Sequence, residues 1–330
     1  MNILVVGGAG YIGSHMCKVL FNSGHQPVVL DNLIHGHRKA VKWGAFIEGS
    51  LEDAALLEHI FSNYNIAAVM HFAAFIEVSE SVQDPAKYYQ NNVAATLTLL
   101  RSMVKAGIPY FIFSSSAAVY GNPAKDLIDE NHPLQPINPY GRSKRMVEQI
   151  LNDFQTAYGL HSISLRYFNA AGADPDGQLG EDHHPESHLI PLVLKAAAGL
   201  RKDIKIFGDD YPTRDGTCIR DYIHVLDLAQ AHLLALQRLC NGGDSAVYNL
   251  GNGTGYSVKE VLETAGKIAG KPVPFEIVGR RQGDPAVLVS ASEKAKAELG
   301  WDPQYSELEV MIRHAWNWHR KYPQGFNQGK

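Results

Sequence analysis

Three side chains in the middle of the chain have types and a spacing suited to moving a proton. Tyr140 and Lys144 form Tyr-x-x-x-Lys at the start of a stretch with helical periodicity, Arg142–Tyr158. Residues i and i+4 share one helix face, so the phenol and the ammonium lie side by side. An ammonium beside a phenol favours the phenolate and lowers a pKa that is about 10 in isolation. Tyr140 thereby becomes an acid or base usable near neutral pH. Ser116 closes a row of hydroxyls, Ser114-Ser115-Ser116, that follows the apolar run Tyr110–Phe113 and precedes Ala117-Ala118-Val119-Tyr120-Gly121. Taken alone, Tyr-x-x-x-Lys describes many surface helix pairs. Its weight comes from lying downstream of a strand that ends in Ser116, itself downstream of a glycine-rich turn.

That turn is Val5-Val6-Gly7-Gly8-Ala9-Gly10-Tyr11-Ile12-Gly13-Ser14-His15, which carries Gly-x-x-Gly-x-x-Gly and Gly-x-Gly-x-x-Gly together. Glycines there let the chain turn sharply after a strand, bring backbone N–H groups against a pyrophosphate and aim a helix N-terminus at it. A second strand, Pro27–Leu30, runs into Asp31, eighteen residues after Gly13. A carboxylate at that point accepts hydrogen bonds from the adenosine ribose and repels a 2′-phosphate, which favours NAD over NADP. His37, Arg38 and Lys39 keep NADP as a minor alternative. A bound nicotinamide, positively charged, adds to the pull of Lys144 on Tyr140.

The elements that must position these groups alternate. Apolar runs at Ile3–Val6, Pro27–Leu30, Ala67–Phe72, Tyr110–Phe113 and Ser162–Leu165, with a weaker one at Ala45–Ile47, are separated by amphipathic stretches such as Ser14–Asn22, Leu51–Phe61 and Val93–Ala106. This predicts an α/β fold: a Rossmann-type, doubly wound parallel sheet over residues 1–170, covered on both faces. From Gly172 to Pro191 the chain is rich in Gly, Asp, His and Pro and reads as a long functional loop. The remainder, 171–330, reads as a smaller α/β substrate domain, with helices at Leu192–Gly199, Val258–Ile268 and Ser292–Leu299. The stretch 221–250 is expected to return to the first domain.

The chain has 330 residues, 45% of them hydrophobic and 19% charged, with a net charge of −4. That balance argues against nucleic acid or an anionic membrane surface as a partner. Cys17, Cys218 and Cys240, odd in number and far apart, read as reduced structural thiols. Met1-Asn2 leads directly into an apolar strand with no basic leader, and no apolar run approaches the roughly 20 residues of a membrane span. A cytoplasmic protein is expected.

The segments GGAGYIGSH, LDNL, HFAA, SVQDPAKYYQNNV, FSSSAAVYG, NPYGRSK, LRYFNAAGA, GEDHHPESHLIP, IFGDDYPTRDGTCIRDYIHVLDLA, NLGNG and RRQGDPA resemble the extended short-chain dehydrogenase/reductase family, and within it the UDP-glucose (UDP-galactose) 4-epimerases. The resemblance covers essentially the whole chain. It implies an isomerase of galactose metabolism that interconverts UDP-galactose and UDP-glucose through a transient 4-keto sugar on tightly bound NAD, with Ser116, Tyr140 and Lys144 catalytic. It implies NAD on Gly7, Gly10, Tyr11, Ile12, Gly13, Asp31 and Asn32; on Ser50, Leu51, Phe72, Ala73, Ala74 and Asn91; and on Ser114, Tyr140, Lys144 and Phe168. It implies a UDP-sugar near Ser116, Tyr140, Asn169, His188, Leu189, Phe207, Arg220, Arg281, Asp284 and Leu288, and a homodimer formed through the helical segments Asp84–Ala106 and Arg142–Tyr158. Two positions depart from the pattern. Some relatives carry lysine where this chain has Ile76, and a carboxylate often stands where it has Ser50.

The alanines after the hydroxyl row discriminate between reactions. Similar sugar-nucleotide dehydratases carry Asp-Glu at the positions of Ala117 and Ala118, and those carboxylates move protons during loss of water. A methyl group moves none, so oxidation at C4 is followed by hydride return, which is 4-epimerisation. Leu288, smaller than the bulky aromatic of some relatives, leaves room beside the sugar's 2-substituent. His183-His184 with Glu181 and Asp182 gives no metal-ligand spacing, so no metal is expected. Arg220 and Arg281 suit a diphosphate, and Trp301, Trp316 and Trp318 read as packing. Two alternatives stay open: another nucleotide-sugar 4-epimerase, for N-acetylhexosamines, pentoses or uronic acids, and a regulatory module that binds NAD. The second needs the glycines but not Ser116, Tyr140 and Lys144 together.

Overall fold

The computed structural model describes residues 1–281 and 283–327. Seven parallel strands form the main sheet, in the order Ala246–Leu250, His161–Tyr167, Tyr110–Ser116, Ile66–His71, Asn2–Val6, Gln26–Asp31, Ala45–Glu48. Parallel strands need crossovers and covered faces, and the near-continuous apolar runs supply both inward sides. One face packs on helices Tyr11–Asn22 and Val225–Cys240 through Met16, Cys17, Leu20, Leu228, Leu233 and Leu236. The other packs on helices Ala54–Tyr64, Ala95–Ala106 and Pro139–Tyr158 through Leu57, Ile60, Leu99, Met103, Val147 and Leu151. Each such fully buried side chain contributes about 1.5–3 kcal/mol. The helix and strand that follow His224 thus lie on and in the main sheet.

Register decides where the chemistry sits. Val6 pairs with Leu30 on one side and His71 on the other, so Gly7, Asp31 and Phe72 emerge together at the carboxyl edge. Ser116 pairs with Tyr167 on the same edge. In an open α/β sheet ligands bind outside the carboxyl ends, where the strand order reverses, here between Asn2–Val6 and Ile66–His71.

Above that edge lies a second group of strands. Ile219–His224 pairs antiparallel with Gly255–Ser257 and parallel with both Val287–Ser290 and Asn169–Ala171, and Val287–Ser290 pairs with Leu127–Ile128. Ile204–Phe207 and Phe275–Val278 form a separate parallel pair. Helices Leu189–Ala197, Val258–Ala269 and Leu308–Lys321 close the core of this part, with Val193, Val261, Met311 and Ile312 buried. Trp301 and Trp318 are fully buried and Trp316 packs on this core.

Helix starts differ from the sequence expectation by a few residues, each for a local reason. The Tyr140 helix begins at Pro139 rather than Arg142, because the Asn138 side chain accepts from Gly141 N at 2.8 Å and proline occupies the first turn. The helix expected from Leu51 begins at Ala54, capped by Asp53 on Leu56 N. The helix expected from Leu192 begins at Leu189 and is over by Gly199, where φ is +78°.

Candidate active site

Gly7 adopts φ +78°, and a Cβ there would stand 2.6 Å from Ala73 N. A Cβ on Gly13 would stand 2.2 Å from Gly7 O. The glycine turn is therefore folded tightly against its own helix and against the segment Phe72, Ala73, Ala74. A Cβ on Gly10 would meet only Gly7 O, at 3.4 Å. Gly10 caps the helix Tyr11–Asn22 with no side-chain bond to its first N–H groups. A positive helix end without a side-chain cap, beside a backbone that only glycine can fold, fits a pyrophosphate.

Asp31 is buried at the end of the neighbouring strand. Its carboxylate accepts from Ala9 N at 3.0 Å and Leu33 N at 2.8 Å. Burial raises its pKa, and those two donors pull it back. Leu33 takes a left-handed φ of +58° to make its bond, a strained conformation of the kind found at ligand sites. Asn32 Oδ1 accepts from Ile34 N, and Ser50 Oγ from Glu52 N, so both side chains hold turns. Leu51 is buried, Phe72 stacks on His232 at 4.8 Å, and Asn91 donates to Asn92 Oδ1 at 2.8 Å from a π-helical turn, Gln90–Ala94.

Ser116, Tyr140 and Lys144 come together. The Ser116 hydroxyl accepts from Ala118 N at 3.1 Å. Burial raises the Tyr140 pKa, offset in part by the nearby Ser116 hydroxyl. Lys144 donates to Ser114 O at 2.8 Å, with its Nζ 5.9 Å from the Tyr140 ring centre. Burial brings Lys144 down to about 7, against the pull of Glu148. Lys144 is thus anchored on the strand carbonyl close to the Tyr140 ring, with its helix tight against the turn that follows Ser116. Gly141 makes this possible, because a Cβ there would stand 2.4 Å from Ala118 O.

A buried polar network behind these residues was not anticipated. Ser115 Oγ donates to Glu148, which also takes two bonds from Arg166 at 2.8 and 2.7 Å. Arg166 donates to Tyr120 Oη, and Tyr120 donates to Asn249 Oδ1. Glu148 stands four residues beyond Lys144, on one helix face with it and Tyr140, and that spacing was available in the sequence. His232, beside Ser114 and Phe72, is held neutral by burial at a pKa of about 4.

On the far side of the cleft Asn169 donates to Asp221 O at 2.8 Å. Asp284 lies between two arginines, with Arg281 bidentate at 3.0 and 3.0 Å and Arg220 at 3.6 Å. Arg281 also covers the ring of Phe207 at 5.3 Å, and that ring, at the end of its strand, is 39% exposed. Leu288 and Phe168 pack beside Ala117 and Val119, and Leu288 pairs in register with Arg220. Leu189 opens its helix. His188 is tied to Glu181 at 2.8 Å and Glu186 at 3.3 Å, away from the two arginines in its bonding.

The model of the NAD dependent epimerase/dehydratase family matches residues 3–251. The chain belongs to that family. It is 53% identical to a UDP-glucose 4-epimerase of Halalkalibacterium halodurans over 99% of this chain and 98% of that one. A solved UDP-glucose 4-epimerase superimposes with a TM-score of 0.98 at 51% identity, covering 99% of this chain and all of that one. The UDP-glucose 4-epimerase of Brucella ovis, solved in complex with NAD, superimposes with a TM-score of 0.94 at 50% identity, covering 96% and 97%. The family's Rossmann-type sheet, its NAD dependence and its enzymatic character are thus those of this chain.

Proposed function

We propose that this protein is a UDP-glucose 4-epimerase, interconverting UDP-galactose and UDP-glucose on bound NAD. The observation that carries the reading is the convergence on the carboxyl edge of the sheet of Ser116, at the end of its strand, and the helix that bears Tyr140 and Lys144, with Ala117 and Ala118 where a dehydrating enzyme needs carboxylates. The glycine turn, the helix N-terminus at Tyr11 and the Asp31 carboxylate hold the dinucleotide. Held there, NAD would supply the nicotinamide ring as the hydride acceptor and donor for C4. Tyr140, with the Ser116 hydroxyl nearby, takes the proton of the C4 hydroxyl and returns it to the C4 oxygen once the sugar has turned to present its other face. Lys144 fixes the strand carbonyl of Ser114 and supplies positive charge near the phenol.

Residues 1–170 with 221–250 form the dinucleotide half in this reading, and 171–330 the UDP-sugar half. Arg220 and Arg281 take the diphosphate, displacing part of their bonding to Asp284. Phe207, exposed beneath Arg281, offers a face to the uracil. Exposed apolar side chains on the two helices Ala95–Ala106 and Pro139–Tyr158, Leu97 and Met146 among them, support a homodimer through these helices. Sedimentation showing only monomer at micromolar concentration removes the dimer. Cys17, Cys218 and Cys240 are all unpaired, in keeping with the cytoplasm.

The test is to incubate the purified protein with UDP-galactose, without added NAD, and follow UDP-glucose by chromatography. Tyr140→Phe, which keeps the ring and removes the ionisable oxygen, is expected to lower turnover roughly 10²–10⁴-fold with little change in substrate binding. No conversion by the unmodified protein, or turnover of the variant within a few fold of it, overturns the reading.

A further inference from the structure

The loop before Leu189 carries Glu181, His183, Glu186 and His188, two pairs of alternate residues. Each offers one donor atom, and the four atoms lie within 4.8 Å of one another. His183 Nδ1 is 3.3 Å from Glu181 Oε1 and 3.9 Å from Glu186 Oε2. His188 Nδ1 is 2.8 Å from Glu181 Oε1 and 3.3 Å from Glu186 Oε1. Four donors around a tetrahedral ion at about 2.0–2.1 Å stand about 3.3 Å apart, so the spacing is that of a coordination shell with small adjustment.

Contacts within the cluster satisfy it only in part. Both imidazoles share the one oxygen Glu181 Oε1, and Glu186 Oε2 is a buried atom without a hydrogen-bond partner. Both carboxylate side chains are deeply buried, Glu186 with 4% and Glu181 with 6% of the side chain exposed. An unpartnered carboxylate oxygen in such a place is costly. Two neutral imidazoles and two carboxylates balance a divalent cation in charge, and imidazole nitrogen selects the zinc group over magnesium or calcium. His188, 39% exposed, leaves a way in.

We propose that Glu181, His183, Glu186 and His188 bind one divalent transition-metal ion, Zn²⁺ by the chemistry of the donors, which clamps this loop over the cleft. The loop already touches the dinucleotide side at three points. His183 meets the Tyr11 ring edge-on at 6.3 Å, His37 Nε2 lies 2.8 Å from Asp182 O, and Ser187 Oγ donates to Glu77 at 2.8 Å. An ion at its centre fixes those contacts together and engages His188 as a ligand rather than as a sugar contact. The rival account is a metal-free pair of imidazoliums neutralising two carboxylates.

The experiment uses the full chain, purified without a polyhistidine tag, stripped with a chelator and titrated with Zn²⁺ and, separately, Co²⁺. One Zn²⁺ per chain by elemental analysis, a visible d–d band of tetrahedral Co²⁺ and a higher thermal midpoint with metal are expected. His183→Asn is expected to weaken binding roughly 100-fold or more, with Glu186→Gln as a second variant should the first not fold, while His184→Asn, next in the loop but outside the cluster, leaves binding unchanged. The stripped protein taking up no Zn²⁺ at micromolar concentration overturns the proposal. So does retention of wild-type affinity by a folded His183→Asn or Glu186→Gln protein.

Discussion

Replacing Gly141 with alanine adds one methyl group in the first turn of the Tyr140 helix, and the geometry says where it goes. The new Cβ stands 2.4 Å from Ala118 O, 3.0 Å from Ala118 C and 3.1 Å from Pro136 Cβ. Ordinary carbon contacts are about 3.5 Å or longer, so the first turn must move away from the 117–119 turn by about 1 Å. The latter cannot yield, since Ala117, Val119 and Tyr120 are buried and packed. The shift falls on Tyr140 and carries its phenol away from the Ser116 end of the strand. Misplacing a catalytic group by about 1 Å costs on the order of 10²-fold in rate. Overpacking of this kind costs about 1–3 kcal/mol of stability, offset in part by up to about 1 kcal/mol of helix propensity gained over glycine. Lys144, one turn further along, and the glycine turn around Gly10 are not in the path, so NAD content is expected to stay at the parent level. The assay is turnover of UDP-galactose alongside bound NAD measured after denaturation. Turnover within threefold of the parent at an unchanged unfolding midpoint refutes the reasoning.

Further outcomes are expected. Asp31→Ser removes a buried carboxylate and is expected to weaken NAD roughly 10–100-fold, from about 1.5–3 kcal/mol for bonds to a charged group, while NADP improves relative to it; competition titration with the two cofactors reads this, and NADP preferred by the unmodified protein would falsify the role. Leu288→Tyr fills the space beside Ala117 and Phe168, so turnover of UDP-N-acetylglucosamine, expected to be measurable in the parent, is suppressed while UDP-glucose is spared; no N-acetyl turnover by the parent refutes this. Acid should destabilise the fold. Burial holds His15 and His232 at about 4 and His71 and His224 at about 3, below about 6.5 in the unfolded chain. The stability they give is present above 6.5 and lost as pH falls, about 1.3 kcal/mol each between pH 7.5 and 5.5, or at most about 5 kcal/mol together. The raised Asp221 acts in the opposite sense and trims this loss, so urea unfolding that shows equal or greater stability at pH 5.5 contradicts the assignment.

The main sheet was legible because a strand buried on both faces must be apolar along its length, and such runs stand out. Ala45–Glu48, at the sheet edge and half-exposed, is correspondingly the faintest. Helix starts were read late where the decisive signal was a cap rather than a periodicity, as at Asn138-Pro139 and Asp53. Leu127–Ile128 could not be read at all, since two residues form a strand only by pairing with Val289 and Ser290, more than a hundred positions away. The cluster Glu181, His183, Glu186, His188 is masked in the sequence by the adjacent pair His183-His184. Neighbouring imidazoles point apart, whereas the loop folds alternate residues inward, and His184 lies instead 3.8 Å from Asp182.

The hydroxyl row Ser114-Ser115-Ser116 shows how one short segment serves three purposes at once. Ser114 presents its carbonyl to Lys144 and its hydroxyl to His232. Ser115, with the next side chain on the strand turned to the opposite face, donates to Glu148. Ser116 caps the turn that follows, its hydroxyl accepting from Ala118 N. The helix Pro139–Tyr158 is therefore held against the strand at two successive levels, by Lys144 and Glu148, and the second is an ion pair buried with Arg166, 2% and 4% exposed. A buried ion pair adds little net stability, but losing one partner leaves an uncompensated charge that costs about 3–5 kcal/mol. Its value here is geometric. A helix that slid or rotated against this strand would strand the Glu148 charge, so the register that pairs Glu148 with Arg166 is also the one that sets Lys144 on the Ser114 carbonyl and places Tyr140 one turn before it.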